Sequence, residues 1–361
     1  MCRMQAENNE MVIGIPRAMS FYNNYPFYYG FFTALGIKVV LSDITTKQTM
    51  SDGSALVVTE TCLPIKIYVG HVLNLINKGI DKIFVPSIQS IAPKIYNCSK
   101  IRGLPDLIRN VVKKPFTMVE ATLDKSEKNQ GLYEFLSEAV KPFGITDMNK
   151  IKEAAKNGWR TFNNFHIMSK SGMSYKKALN YALQGKVFIE NNTKEYPISI
   201  ALVSHSYNIF DDRACMKIIE KLEAMDVKVY TSLQLSHEQI VEGISTLGEN
   251  SMYWANEGDM TGAAGHYLKD NKIDGMIALN AFGCGPDSLM VERIIRKAKQ
   301  YNKPIINLTI DEQTGEAGFV TRLEAFVDML FRKKRANIIN KIDIGSEQSN
   351  YRPNIEYIET K

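Results

Sequence analysis

Several features that would decide a protein's class at once are missing from this sequence of 361 residues. No apolar run approaches the roughly 20 residues that a membrane-spanning helix needs. The longest, such as Ile198 to Val203, have the length of a strand, and Met1 to Asn9 is polar, so neither a membrane span nor a signal peptide is expected. Cysteine is scarce. The five present, Cys2, Cys62, Cys98, Cys215 and Cys284, are odd in number and widely spaced, with no Cys-x-x-Cys pair. A chain this long does not depend on disulfides, so the expectation is a reducing cytoplasm with thiols free or bound to metal. There is no Gly-Lys-Ser/Thr loop, and Gly14-Ile15-Pro16-Arg17 lacks the spacing of a dinucleotide fingerprint, which argues against nucleotide hydrolysis by this chain. The net charge of +5 is scattered over Lys113-Lys114, Lys176-Lys177, Arg296-Lys297 and Arg332 to Arg335. Without aromatic interleaving on one element, these runs predict solvated faces and helix ends, not a nucleic-acid partner.

What is present is an alternation of short apolar runs with stretches of helical spacing. Strands are expected at Met11 to Ile15, Ile37 to Ser42, Ala55 to Thr59, Lys82 to Val85 and Phe116 to Glu120. A second set is expected at Ile198 to Val203, Val227 to Tyr230, Met276 to Leu279 and Pro304 to Thr309. Helical spacing covers Phe21 to Phe32, Ile65 to Asn77, Asp211 to Met225, Ser288 to Lys299 and Ala317 to Arg332, while Ser87 to Ser99 reads as a loop and Ser204 to Asn208 as a polar turn. The fold class is therefore α/β, with two Rossmann-like domains whose sheets are mostly parallel, joined by a helical segment. The first domain spans 11–130 and carries Cys62 and Cys98; the connecting helices, with Met148 to Ser169 and Ser174 to Ile189 the clearest, fill 131–195; the second domain spans 196–335 and carries Cys284. A leader up to Glu10 and a tail over 336–361 are expected to be disordered.

Ligands of such sheets collect beyond the strand C-termini, where Cys62, Cys98 and Cys284 are expected. Phe282-Gly283-Cys284-Gly285-Pro286-Asp287 is a strand-to-helix turn in which glycines allow close backbone approach and the helix N-terminus favours negative charge. Three thiolates converging between facing domains suit an iron–sulfur cluster with one iron left open. Zinc completed by His205 or His266 is a second reading, and three small buried thiols a third. Cys2 lies in the leader, and Cys215, inside the helix after Asp212, belongs to the core. In Asp311-Glu312, at the end of a strand, either carboxylate has the chemistry of an acid or base. Catalytic residues stay unassigned.

Ile13-Gly14-Ile15-Pro16-Arg17-Ala18, Glu60-Thr61-Cys62-Leu63-Pro64-Ile65-Lys66, Tyr96-Asn97-Cys98, the Cys284 turn, and Asp311-Glu312 through Gly315-Glu316-Ala317-Gly318 to Phe326 occur in that order. Together they resemble the 2-hydroxyacyl-CoA dehydratase component superfamily, in its acyl-CoA dehydratase activase-related branch, from about Met11 to Leu330. The resemblance implies a cytoplasmic, oxygen-sensitive protein of anaerobes with a 4Fe-4S cluster on Cys62, Cys98 and Cys284. Glu60, His205, Gly283, Gly285 and Glu312 are this reading's own candidates for surrounding the cluster or a bound ligand. The resemblance also implies an ATP-hydrolysing iron–sulfur activase that delivers low-potential electrons, an acyl-CoA or other small-molecule substrate, and a homo- or heterodimer. No pocket for a coenzyme A thioester can be read in the sequence, and the branch carries no defined reaction. The alternative is a non-catalytic iron–sulfur electron-transfer or cluster-carrier protein.

Overall fold

A computed structural model describes residues 10–128, 130–190, 194–248 and 252–348; Cys2, the expected leader through Asn9 and residues 349–361 lie outside the described residues. The first α/β half runs β1 (Val12–Ile15), α1 (Phe21–Ala34), β2 (Lys38–Leu41), α2 (Lys47–Ser54), α3 (Leu63–Asn77), β3 (Lys82–Ala92), β4 (Ile95–Tyr96), α4 (Ser99–Arg102), α5 (Leu104–Val111) and β5 (Thr117–Asp124). Helices α6 (Leu132–Val140), α7 (Met148–Lys170) and α8 (Tyr175–Leu183) follow. The second half runs β6 (Ile198–Val203), α9 (Ser206–Phe210), α10 (Ile218–Ala224), β7 (Val227–Tyr230), α11 (His237–Thr246), α12 (Ala255–Lys269), β8 (Gly275–Ala281), α13 (Gly285–Gln300) and β9 (Ile305–Ile310).

Two parallel sheets result, as the strand and helix alternation predicts. The first has β2-β1-β3-β5 in parallel order with β4 antiparallel on β3, and the second is β7-β6-β8-β9, parallel throughout. Helices cover both faces of such sheets, so their strands are apolar on both sides; β8, Gly-Met-Ile-Ala-Leu-Asn-Ala, is buried at every position. Residues Met1–Gly315 form one unit containing both sheets, and a second unit begins with α14 (Glu316–Gln348). The connecting helices share the first half's core: Phe165 and Met168 of α7 are buried with Phe27, Phe31 and Phe32 of α1. Among the described residues no helix is long and apolar enough to cross a membrane.

Six local expectations change. Ala55 to Thr59 is a turn, not a strand, because Leu56 and Val58 are exposed and a strand of a parallel sheet must bury both faces. The expected loop after Val85 is a continuation of β3 to Ala92 with β4 folded back on it. Its polar residues hid it: Ser87 Oγ donates to the Arg102 carbonyl and Ser90 Oγ to Asp124, so both are buried and satisfied. Ser206–Phe210 is helical where a polar turn was expected, and the helix expected from Asp211 begins only at Ile218, after a turn in which Met216 and Lys217 have positive φ. Cys215 is thus a buried turn residue, inside the core as expected. Helix α8 stops at Leu183 instead of running to Ile189, and residues 336–348 continue α14 instead of forming an irregular tail.

Candidate metal centre at the facing sheet edges

Each of the three cysteines is the N-cap of a helix: Cys62 of α3, Cys98 of α4 and Cys284 of α13. All three have extended backbone, and their carbonyls accept the first helical N–H groups, from Ile65, Ile101 and Ser288. Pro64 and Pro286 sit in the first turn, where no N–H is needed. Cys284 follows β8, as its sequence implies. Cys62 follows a turn, and Cys98 follows the antiparallel β4, so neither directly ends a parallel strand.

The loops bearing these cysteines touch. Gly283 has φ of 79°, a conformation natural to glycine, and a Cβ built on it would lie 3.1 Å from the Glu60 carbonyl oxygen and 3.5 Å from Cys62 Cα. The turn before Cys284 therefore packs on the backbone before Cys62. On the other side, the Tyr96 N–H donates to the Tyr253 carbonyl (2.8 Å), and Tyr96 pairs with Trp254, the N-cap of α12. Burial pushes the Cys62 thiol up to about 11, and the closeness of Cys98 adds to that. Burial also raises Cys98 and Cys284; Asp287 and Cys62 lie close enough to Cys284 to raise it further, and Glu257 raises both thiols. Burial disfavours ionisation of all three thiols, and a bound cation is the kind of group that would hold them as thiolates.

A buried polar cluster adjoins them. His205, the N-cap of α9 at the end of β6, has Nε2 2.6 Å from Asp287 Oδ1 and 3.7 Å from Glu257 Oε1, and none of these side chains is more than 3% exposed. Yet Nε2, both Asp287 oxygens and Glu257 Oε2 have no aligned hydrogen bond. Burial opposes protonation of His205, but Asp287 and Glu257 outweigh it and hold the imidazole up to about 9. The donor atoms of His205, Cys284 and Asp287 all lie within 4.8 Å of one another. Buried polar atoms left without partners are costly, and here a nitrogen, a thiol and a carboxylate share one small space. His205 also lines a cavity of about 260 Å³ together with Asn23, Asn97, Ser204, Tyr207 and Asp259.

The structure thus gathers Cys62, Cys98, Cys284, His205 and Gly283. Glu60 is exposed and contributes only its carbonyl to the packing, and a Cβ at Gly285 would meet nothing within 4 Å. Glu312 is taken up by Lys66, whose Nζ lies 2.6 Å from Oε1 and also donates to the Thr59 carbonyl. Asp311 closes a turn by accepting from Gln313 N–H and the Thr314 hydroxyl. His266 lies in the last turn of α12, at the opposite end from the Glu257 that faces the cysteines. Sequence reasoning missed Asp287, Glu257 and Lys66 as site residues. Asp287 and Lys66 stood inside the quoted motifs, but the motifs carry no sign of a partner; Glu257 lies in a stretch with no pattern to mark it.

No curated protein matches the chain. Among solved structures it is similar to the "putative phosphosugar isomerase" of Silicibacter pomeroyi DSS-3, at 10% identity over 91% of this chain and 87% of that one, with a TM-score of 0.20. A likeness that faint carries no argument. Residues 12–235, which contain Cys62, Cys98 and His205, match the family model described as the CoA enzyme activase uncharacterised domain, and the chain belongs to that family.

Proposed function

We propose that Cys62, Cys98 and Cys284 hold a 4Fe-4S cluster and that the chain is a low-potential redox enzyme or enzyme component of the 2-hydroxyacyl-CoA dehydratase type. It would receive electrons from an ATP-hydrolysing iron–sulfur activase and act on an acyl-CoA or another small molecule. The observation that carries the reading is the convergence of three helix-capping thiols from distant loops, with Gly283 seated on the backbone of Cys62. Thiolates are the donors such clusters take, and when bound the cluster supplies a one-electron centre with one iron not held by cysteine. The N-termini of the 15-residue α3 and the 16-residue α13 favour negative charge at Cys62 and Cys284. Asp287, which bears on Cys62, Cys98 and Cys284 alike, and Glu257, which bears on the last two, are the carboxylates that flank the set. His205 stands on the cavity wall with Asp287 Oδ1 2.6 Å from its Nε2. That cavity, with His205 on its wall, favours an enzyme over a carrier, which has no use for a ligand-sized space beside its centre.

A second reading rests on the 4.8 Å grouping of His205, Cys284 and Asp287, a nitrogen, sulfur and oxygen set that suits a single zinc ion with an open position. Metal and acid-labile sulfide analysis of anaerobically purified protein, with electron paramagnetic resonance after reduction, separates the two. The cluster predicts about four irons and four sulfides per chain, lost in Cys62→Ala, Cys98→Ala and Cys284→Ala and kept in Cys215→Ala. Zinc without sulfide, lost in Asp287→Ala and kept in Cys98→Ala, gives the site to the second reading.

A further inference from the structure

A second cavity, of about 320 Å³, opens beyond the end of β1 and involves none of the cysteines. It is the place where Gly14-Ile15-Pro16-Arg17, a motif left without a task by the metal centre, meets the connecting helices. Arg17 is anchored at Ser42: its backbone N–H donates to Ser42 Oγ (2.9 Å) and its side-chain Nε to the Ser42 carbonyl (2.7 Å). Its guanidinium lies 5.8 Å from the Phe21 ring centroid, and among the described residues its terminal amino groups have no hydrogen-bond or ion-pair partner, nor has the guanidinium of Arg213, which lines the same cavity. The walls are aromatic. Tyr22, Tyr25 and Tyr175 are buried, and Phe210 stacks on Tyr175 at 4.4 Å. Burial raises all three tyrosines, and Arg17 is near enough to pull against that rise in each. The Tyr175 hydroxyl is buried with no hydrogen-bond partner.

The charges decide what fits. Lys176 is occupied by Asp212 (2.5 Å) and Glu220 (3.2 Å). Asp211 is occupied by the Thr45 hydroxyl and the N–H groups of Arg213 and Ala214. Two unpaired guanidinium groups against one internally satisfied carboxylate leave a single positive charge. A fork of guanidinium donors matches a carboxylate in shape, and apolar walls take an apolar body. The volume lies near the lower end of ligand pockets, about 300 Å³, so the body is compact.

We propose that this cavity binds a monocarboxylate with a small apolar body, its carboxylate between Arg17 and Arg213 and its body against the tyrosines. The site does not rest on the metal reading. The test is calorimetric titration of the full chain with three probes of one shape: benzoate, neutral benzamide and doubly charged phenyl phosphate. Benzoate is expected to bind saturably, with benzamide at least about 10-fold weaker, since charge-assisted hydrogen bonds are the difference. Arg213→Gln, an exposed position that does not threaten the fold, is expected to weaken benzoate about 10-fold, and Arg17→Gln to weaken it at least as much. Tyr175→Phe removes an unpartnered hydroxyl, so the free protein is expected to melt no lower while benzoate binds several-fold more weakly. No saturation by about 10 mM benzoate, equal binding of benzamide, or indifference to Arg213→Gln overturns the proposal. Tighter binding of phenyl phosphate than of benzoate overturns the charge count and with it the monocarboxylate.

Discussion

The two α/β halves run the same course to different ends. In each, the first strand (β1, β6) lies inside the sheet, the second (β2, β7) at its edge, and a pair of helices (α2 and α3, α11 and α12) leads to the third strand beside the first. The contacts between halves are reciprocal. The N-cap of α3, Cys62, meets the turn before Cys284 that follows β8; the N-cap of α12, Trp254, meets Tyr96 just before Cys98, in the chain that follows β3. The repeated frame therefore offers four corresponding positions, and cysteine stands at three. At the fourth is Trp254, with Glu257 three residues further on. A symmetric frame brings the loops together, and the asymmetry of what they carry leaves one side of the centre without a cysteine.

The helix pairs give the sharpest test of the repeat. A Cβ at Gly53 would lie 1.8 Å from the Lys66 carbonyl oxygen of α3, and one at Gly243 would lie 1.8 Å from the Gly262 carbonyl oxygen of α12. Gly53→Ala and Gly243→Ala should each cost about 3 kcal/mol or more in urea unfolding, because backbone cannot yield as a flexible side chain does. A marked response in only one half would break the comparison. Glu312→Ala comes next: it strands Lys66, whose side chain is 4% exposed, for an expected loss of about 3 kcal/mol, most of it recovered in the double variant with Lys66→Met. Gly283→Ala should cost about 1–2 kcal/mol for its positive φ and lower metal content by lifting the Cys284 turn off Cys62, whereas Gly285→Ala leaves metal content unchanged.

A separate effect is read against pH. His71, on α3, is fully buried with Nε2 2.9 Å from Thr45 Oγ1, and burial holds its imidazole down to about 3. The unfolded chain takes up this proton near pH 6.5 and the folded chain does not. Its contribution is therefore complete above about pH 6.5 and is lost as pH falls toward 3, by up to about 1.4 kcal/mol per unit. His71→Gln should flatten the stability profile over that window, as read from urea midpoints.

Much of this was legible in the chain. Strands such as Ile198–Val203 and Gly275–Ala281 are short and apolar, and the glycine-flanked Cys284 with Pro286 announced a strand-to-helix turn. Where reading failed, burial and local pattern had parted: Leu56 and Val58 are apolar yet exposed, while Ser87 and Ser90 are polar yet buried because distant groups satisfy them. Neither case leaves a trace in periodicity, which records which face is apolar and not what that face meets.

By itself the sequence determined the class of fold, the capping positions of Cys62 and Cys284, and the short list of thiols worth following, because turn chemistry and hydrophobic spacing act over a few residues. Only the tertiary structure decided that His205 meets Asp287 and Glu257, that Lys66 reaches Glu312 across 246 residues, and that Arg17 and Arg213 share a cavity. These contacts join groups far apart in the chain, and they come about through the packing of whole sheets and helices, which no local run of residues encodes.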